Sequence, residues 1–262
     1  MIMRLRVMGQ SLVLGIAEYR TIYTWRSWLS GWIVRMLAQV SFFATIGFML
    51  RSSANVRYLL IGNAVVLVCL EASIVVLTMA GERWGGTLIA LLTTPAQPIT
   101  VFLGRGINWV FTGVATSAIT LALLPPLFGV PVGALRLLAC LPILVIIGLA
   151  AYAYGSFLAG LTVRWPSFDW LVLNVGYLVV MAFAGVNVPV DYWPAVPQAI
   201  AQVLPVTHGL QAVRGLLDGA SYGYVLSRIG LEVLVGLFWL LAASLSYRVF
   251  VSHARRRGTL DM

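Results

Sequence analysis

Six long apolar runs dominate the chain and set its predicted secondary structure. Each is close to the length, about 20 residues, at which an α-helix crosses the roughly 30 Å hydrocarbon core of a bilayer. The runs lack the alternation of apolar and polar residues that transmembrane β-strands show. The pattern therefore predicts an all-α integral membrane protein, a single transmembrane domain over residues 1–262, with six transmembrane helices at Leu29–Leu50, Val56–Met79, Gly106–Phe128, Ala134–Leu161, Asp169–Val188 and Ile229–Val251.

The stretch before the first run, residues 5–27, is amphipathic. Its apolar residues recur at spacings of three and four and are interrupted by polar ones such as Glu18 and Arg20, which is typical of a helix lying in the membrane interface. Aromatic residues form a belt at the mouth of the first span, namely Tyr19, Tyr23, Trp25, Trp28 and Trp32. We predict an N-terminal interfacial elbow helix here, with a loose membrane-adsorbed arm as the alternative.

The segment between the fifth and sixth runs, residues 189–228, is too broken by proline for a spanning helix and too apolar for a solvated loop. It predicts two short re-entrant helices, Pro197–Leu204 and His208–Leu217. Nonhelical backbone is tolerated at membrane depth only where protein or a watery cavity satisfies its polar groups, so we expect this segment to cover the outer mouth of the bundle. Its candidate gate residues are Pro189, Pro194, Pro197, Pro205, His208 and Arg214.

Composition supports the membrane assignment and indicates an orientation. Hydrophobic residues make up 61% of the 262 residues and charged residues 10%, which leaves too little polar surface for a soluble globule. The net charge of +9 does not indicate a nucleic-acid partner, because the arginines stand singly at the ends of apolar runs. A cytosolic N-terminus places eleven arginines inside and five outside. The sequence thus predicts a multi-pass plasma-membrane protein with both termini cytosolic.

Several kinds of chemistry are excluded by what the sequence lacks. It contains no lysine, whereas a nucleotide-hydrolysing P-loop and Schiff-base catalysis each require one. His208 and His253 stand far apart, so we predict no metal site and no catalytic residues, and we expect His208 to be a hydrogen-bonded cap. Cys69 and Cys140 lie inside apolar runs and are expected to be small core residues.

Glu71 is the strongly unexpected charge within the spans. A lone acid in hydrocarbon costs about 2.5–3.5 kcal/mol on insertion scales and normally has a partner or a pathway. At 1.5 Å per residue, Glu71 and Arg35 come to similar depths, about 12 and about 10 Å from the cytosolic ends of adjacent spans. We predict a structural Arg35–Glu71 ion pair, with a proton relay or a substrate contact as alternatives. Glu232 is expected near a span end as the surface partner of Arg228.

Two motifs resemble segments of a known family. The stretch ERWGGTLIALLTTPAQPITVFLGR, residues 82–105, combines Glu-Arg, Gly-Thr-Leu, Leu-Leu and Thr-Pro ahead of the third span. The stretch LPVTHGLQAVRGLL, residues 204–217, places Leu-Pro and Arg-Gly ahead of the last span. Both are similar to the corresponding segments of type-2 ABC export permeases. Six spans, cytosolic termini, an elbow helix and a proline-broken outer segment extend the resemblance over nearly the whole chain.

The resemblance implies a cytosolic coupling helix, residues 82–99, that is received by a groove on a separate ATPase subunit. The departure from the family pattern is at Trp84 and Gly85, where charged residues are frequent. An interfacial helix that merely joins two spans is the alternative. The positions that match the family motif are Glu82, Arg83, Gly86, Thr87, Leu88, Leu91, Leu92, Thr94 and Pro95.

The resemblance also implies a transport subunit without its own ATPase site. Two permease copies, or this chain with a paralogue, would work in membrane lipid with two ATPase subunits that bind ATP and Mg²⁺, while this chain binds no cofactor. The cargo would be a hydrophobic or amphipathic drug, antibiotic, lipid or glycan, exported by alternating access. A secondary transporter, which predicts internal symmetry, and an intramembrane enzyme or scaffold, which predicts a polar catalytic cluster, are the rival interpretations.

Overall fold

The computed structural model describes residues 2–86, 101, 104–130, 132–162 and 166–257. Within these residues the regular structure is helical and no strand occurs, which confirms the all-α prediction. The helices are α1 Ile2–Ile22, α2 Trp25–Met49, α3 Ser53–Ala72, α4 Val75–Trp84, α5 Asn108–Leu127, α6 Ala134–Thr162, α7 Asp169–Phe183, α8 Ala195–Val203, α9 Thr207–Asp218 and α10 Tyr222–Arg257. Short 3₁₀ turns at Pro166–Phe168 and Val190–Tyr192 flank α7 and α8.

Within the part of the chain that the structure describes, five helical stretches are long and apolar enough to cross a membrane, which supports a multi-pass membrane protein. They are Trp25–Met49, Ser53–Thr78, Gly104–Leu127, Ala134–Thr162 and Tyr222–Arg248. The predicted fifth span, Asp169–Val188, is helical only over the 15 residues of α7, about 22 Å at 1.5 Å per residue. Its helix ends at Phe183 because the chain bends through residues 184–188, where Gly185 has a φ of +80°.

The bundle is centred on α3. Of the apolar stretch within Ser53–Thr78, which comprises α3 and the first turn of α4, 89% is buried, against 17% of that within Tyr222–Arg248 of α10 at the periphery. Small residues let neighbouring backbones approach closely, as is common between membrane helices. A Cβ added to Gly113 on α5 would lie 3.0 Å from the Val68 carbonyl oxygen of α3, and one added to Gly155 on α6 would lie 3.0 Å from the Cα of Ser73. Cys69 and Cys140 are buried free thiols, as predicted.

Successive long helices run in opposite directions, which gives the bundle two distinct ends. At the first, called the α1 end, α1 meets the end of α4 and the starts of α5 and α7. At the second, called the α9 end, α9 contacts the starts of α3 and α6 through Arg57 and Arg136. The start of α2 lies at the α1 end, where Trp32 and Arg35 border the same cavity as α1. The end of α10 also lies there, because α10 runs away from α9 after its first turns.

Candidate functional site

The predicted coupling region begins as a continuation of α4. Glu82 and Arg83 lie in the last turn of α4, and the chain turns at Gly85 and Gly86, with a φ of +69° at Gly86. Glycine adopts this left-handed conformation easily, and it is a common way to end a helix. The other matched coupling positions lie outside the described residues; they are Thr87, Leu88, Leu91, Leu92, Thr94 and Pro95.

Arg105, which lies between the coupling region and α5, is bonded to α1. Arg105 donates a hydrogen bond from Nε to Glu18 Oε2 at 2.9 Å, and its Nη2 pairs with the other carboxylate oxygen, so the ion pair is bidentate. Gly15 lies one turn before Glu18 on α1, and a Cβ added there would collide with the Arg105 carbonyl oxygen. The absence of a side chain at Gly15 therefore lets α1 dock directly on the start of the third predicted span.

A cavity of about 660 Å³ lies at the α1 end, between α1, α2, α4, α5 and α7. This volume falls within the roughly 300–1,000 Å³ that small-molecule sites occupy. Five aromatic residues contribute to its wall, namely Tyr19, Tyr23, Trp32, Trp109 and Trp170. Three members of the predicted aromatic belt thus face a cavity, whereas Trp25 is 69% exposed on the surface of the chain.

The aromatic wall is a connected set of ring contacts. Tyr19 lies 5.2 Å from Tyr23 and 5.3 Å from Trp109, and Tyr23 lies 6.0 Å from Trp32, all between ring centroids. Burial, and after it the charge of Glu71, raises the pKa of the Tyr19 and Tyr23 phenols. Both phenols are therefore protonated at neutral pH, and the wall offers hydroxyl groups as well as ring faces.

Arg35 and Glu71 meet at one indole ring instead of pairing directly. Trp32 Nε1 donates a hydrogen bond to Glu71 Oε1 at 2.9 Å, and the Arg35 guanidinium lies 5.4 Å from the centroid of the same indole. Among the described residues, the side chains within salt-bridge distance are Arg57 with Asp218 and Arg105 with Glu18, and not Arg35 with Glu71. The depth estimate correctly placed Arg35 and Glu71 on adjacent helices. It could not show that the Trp32 indole, and not Arg35, donates the hydrogen bond to Glu71.

At the α9 end, polar side chains donate hydrogen bonds to the backbone carbonyl groups in the bend that follows α7. The Tyr58 hydroxyl donates to the Gly185 carbonyl at 2.6 Å, and Arg214 donates from Nη1 to Gly185 at 2.8 Å and from Nη2 to Val186 at 3.2 Å. Asn63 Nδ2 donates to Asn187 Oδ1 at 2.8 Å. Nonhelical backbone inside an apolar bundle requires partners of this kind, so α3 and α9 together stabilise the shortened α7.

Arg214, one of the predicted gate residues, joins three elements. Besides its bonds to the bend after α7, its Nη2 donates to the Tyr58 carbonyl at 3.0 Å, and its guanidinium lies 3.5 Å from the centroid of the Tyr58 ring. Burial lowers the pKa of Arg214, and the Tyr58 contacts counteract part of that effect. Arg214 therefore holds α9, α3 and the end of α7 together.

Both ends of α9 are held by charged side chains from other helices. Glu232 on α10 is fully buried and accepts hydrogen bonds from the backbone N–H groups of Val206 at 2.7 Å and Gly209 at 2.9 Å. Arg57 and Arg136 both donate to the Leu217 carbonyl in the last turn of α9, at 3.2 and 2.7 Å. This places an acid at the N-terminus of α9 and cations at its C-terminus, the arrangement that a helix dipole favours.

The position of Glu232 corrects the sequence-based expectation. Glu232 is not the surface partner of Arg228, whose guanidinium lies 5.1 Å from the Tyr224 ring centroid. Instead Glu232 caps α9 from within the core. The sequence contained a signal for this role, because Glu232 falls inside the predicted span Ile229–Val251, where an unpartnered acid is costly.

The prolines of the outer segment stand where they can start helices. Pro194 precedes α8, Pro197 lies in the first turn of α8, and Pro205 separates α8 from α9. Proline suits such positions, because its missing N–H has no helical partner there. His208, in the first turn of α9, has its Nε2 3.0 Å from the Gln202 carbonyl, and burial lowers its pKa. His208 is thus a neutral, hydrogen-bonded residue, as expected, with Nε2 as the donor.

The stretch Gly219–Gly223 has the Gly-x-Ser-x-Gly spacing of some serine hydrolases. In those enzymes the serine sits on a sharp turn between a strand and a helix. Here the stretch joins two helices, and exposed Ser221 accepts a hydrogen bond from the backbone N–H of Tyr224 at 3.3 Å. The setting is that of a helix N-terminus and gives no support to nucleophilic catalysis.

Comparison with known proteins agrees with this architecture. Residues 12–217, from α1 to the last turn of α9, match the family model of ABC-2 type transporters. Over 154 residues the chain is 27% identical to Nodulation protein J of Rhizobium leguminosarum bv. trifolii, and the alignment covers 58% of this chain and 56% of that protein. The chain thus spans about half the length of this curated relative. Since the family match covers most of the chain, the protein belongs to the ABC-2 type transporter family.

Proposed function

We propose that this chain is the transmembrane permease subunit of an ATP-driven exporter, which moves a hydrophobic or amphipathic substrate out of the cytosol. The observation that carries the proposal is the match of residues 12–217 to ABC-2 type transporters. ATP and Mg²⁺ are bound by a separate ATPase subunit, present in two copies. A second permease copy or a paralogue completes the pathway, and both termini face the cytosol.

The coupling region, residues 82–99, is where the ATPase subunit acts on this chain, through the matched positions from Glu82 to Pro95. It continues from α4, which follows the central helix α3 after the turn at Ser73 and Ile74, and it leads to Arg105 at the start of α5. The bidentate Glu18–Arg105 ion pair links that start to α1. A displacement of the coupling region therefore acts on α4, α5 and α1 together, and these three helices border the cavity.

The α8–α9 hairpin is the outer gate of the pathway. Its helix α9 is bonded to α3, α6 and α10 through Arg57, Arg136 and Glu232. Because α3 leads through a short turn into α4, which continues into the coupling region, one continuous stretch of chain connects the gate to the coupling region. Alternating access requires such a two-state connection between the ATPase subunit and the gate.

The test is co-purification of the chain with its candidate ATPase subunit in lipid nanodiscs. The wild type is compared with a variant that carries Glu82→Arg and Leu91→Asp. We expect the wild type to bind the ATPase subunit and to raise its ATP hydrolysis, and we expect the variant to lose both effects while it still folds.

A matched control makes the same kinds of change at the opposite end of the bundle, Asp191→Arg with Val196→Asp. Both control residues are exposed. The control should bind the ATPase subunit like the wild type. Normal binding and stimulation by the coupling variant would show that Glu82 to Pro95 is not the coupling region.

A further inference from the structure

The cavity at the α1 end has an uneven charge distribution. Arg35 borders it and lies 5.4 Å above the Trp32 ring. The other ionised residues that border it, Glu18 and Arg105, neutralise each other in a bidentate pair. In the part of the chain that the structure describes, no acid lies within salt-bridge distance of Arg35. Among the described residues that border the cavity, Arg35 is therefore the cation without an acidic partner.

Glu71 lies behind the cavity wall and not at its surface. It is 1% exposed, does not border the cavity, and has its Oε1 hydrogen-bonded to Trp32 Nε1. The indole of Trp32 thus contacts both Glu71 and the cavity. A ligand in the cavity would meet the Arg35 guanidinium, while the carboxyl group remains in the core.

The remaining wall is suited to a molecule that is mostly apolar and carries one polar head. Aromatic rings and the aliphatic residues Leu70, Ile74, Leu77 and Leu173 form a large part of it, and threonine and asparagine side chains add polar groups. Asn108 also borders the cavity, is 7% exposed, and its Oδ1 has no hydrogen-bond partner. The wall thus includes a polar amide side chain besides its apolar residues.

We propose that this cavity binds an amphipathic anion, with a phosphate or carboxylate at Arg35 and the apolar part along the aromatic wall. The inference rests on the proposed function, since it names the substrate class of the exporter. Guanidinium groups bind phosphate and carboxylate through charge-assisted, often bidentate hydrogen bonds. The ring faces and the tyrosine hydroxyls accommodate the portion next to the anionic group.

The experiment measures binding of hexadecyl phosphate to the purified full chain in dodecyl maltoside, by native mass spectrometry over a ligand titration. Hexadecyl maltoside, which has the same tail and an uncharged head, is the comparison ligand. We expect hexadecyl phosphate to bind at least about tenfold more tightly, and Arg35→Gln to remove that difference, since tenfold corresponds to 1.4 kcal/mol. Arg35→Lys should retain part of it, because the charge remains.

Arg26→Gln is the matched control. Arg26 also lies over an indole, 5.3 Å from the centroid of the Trp25 ring, and it is exposed but does not border the cavity. Hexadecyl phosphate should bind this variant as it binds the wild type. Any of three results would overturn the proposal. The Arg26 and Arg35 variants could lose the same affinity for hexadecyl phosphate, Arg35→Gln could bind it unchanged, or the wild type could bind the uncharged ligand equally tightly.

Competition identifies the source of the anion. If phosphatidylglycerol displaces hexadecyl phosphate with similar affinity, the ligand is a membrane lipid headgroup; if it does not, the cavity selects single-chain anions and the ligand is a separate cargo. The measurement uses the permease without an ATPase subunit. Failure to bind the anion, with intact co-purification of the ATPase subunit, would overturn the substrate class and leave the permease assignment in place.

Discussion

Single buried polar side chains complete the backbone hydrogen bonding of this bundle. Glu232 accepts from the N–H groups of Val206 and Gly209, which the start of α9 cannot satisfy by itself. Val206 has a φ of +81°, a conformation that is unfavourable for a β-branched residue by about 1–3 kcal/mol. The carboxyl group of Glu232 therefore holds both a helix N-terminus and a strained residue in place.

Replacing Glu232 tests this cap. Glu232→Ala leaves two buried N–H groups without acceptors, and we expect it to lower the free energy of unfolding by about 1–3 kcal/mol. Glu232→Gln keeps one carbonyl acceptor and should cost less. Thermal unfolding of the purified protein measures both, with Arg228→Gln as the control one turn away. An Arg228 effect as large as that of Glu232 would favour the surface pair over the cap.

The hydrogen bond from Trp32 to Glu71 supports a second prediction. Trp32→Phe removes the donor to Glu71 Oε1, and Glu71 Oε2 already has no partner, so a buried acid would be left unsatisfied. We expect a loss of about 1–3 kcal/mol in the free energy of unfolding. Trp25→Phe, at a ring that is 69% exposed, should have little effect. Similar melting temperatures for the two variants would contradict a stabilising role for this bond.

At the scale of elements, the docking of α1 depends on one small residue. α1 carries glycine at positions 9 and 15, and only Gly15 faces another backbone, that of Arg105. The Glu18–Arg105 ion pair lies next to this contact, but both side chains are partly exposed, and such pairs contribute about 1 kcal/mol or less. Close packing at Gly15 should therefore matter more than the ion pair for the position of α1.

Two glycine substitutions separate helix propensity from docking. Gly9→Ala, where a Cβ would meet nothing within 4 Å, should stabilise α1 by up to about 1 kcal/mol. Gly15→Ala should displace α1 from α5, because its Cβ would collide with the Arg105 carbonyl. Distances between spin labels on α1 and α5 report the displacement. An unchanged distance in Gly15→Ala would show that α1 docks in another way.

For the whole molecule, the alternating helix directions place the start of α2 and the end of α10 at one end of the bundle and the α8–α9 hairpin at the other. In the proposed orientation, with the α1 end cytosolic, the hairpin faces outward. A cysteine at Ser221, which is exposed, should react with a membrane-impermeant maleimide in intact cells, whereas one at exposed Gly85 should react only after permeabilisation. The native cysteines are buried and should stay unlabelled. The reverse labelling pattern would invert the proposed orientation.

The helices themselves were largely predictable from the sequence. The predicted spans agree with the observed helices to within a few residues except at the end of the fifth and at the start of the sixth, because the length of an apolar run is a local property. Helix α7 is shorter than its apolar run, since Gly185 allows a bend and distant side chains satisfy the freed carbonyls. The start of α10 at Tyr222 was missed because the hairpin was expected to extend to residue 228.

The sequence by itself determined that this chain is a bundle of membrane-spanning helices of the ABC-2 type, because hydrophobicity, length and short motifs are read along the chain. The tertiary structure decided which polar groups meet. Glu232 reaches Gly209 across 23 positions and Arg214 reaches Tyr58 across 156, and no local spacing specifies such partners. Burial selects them, because each backbone group that leaves water needs a hydrogen-bond partner, and only the folded bundle brings that partner within reach.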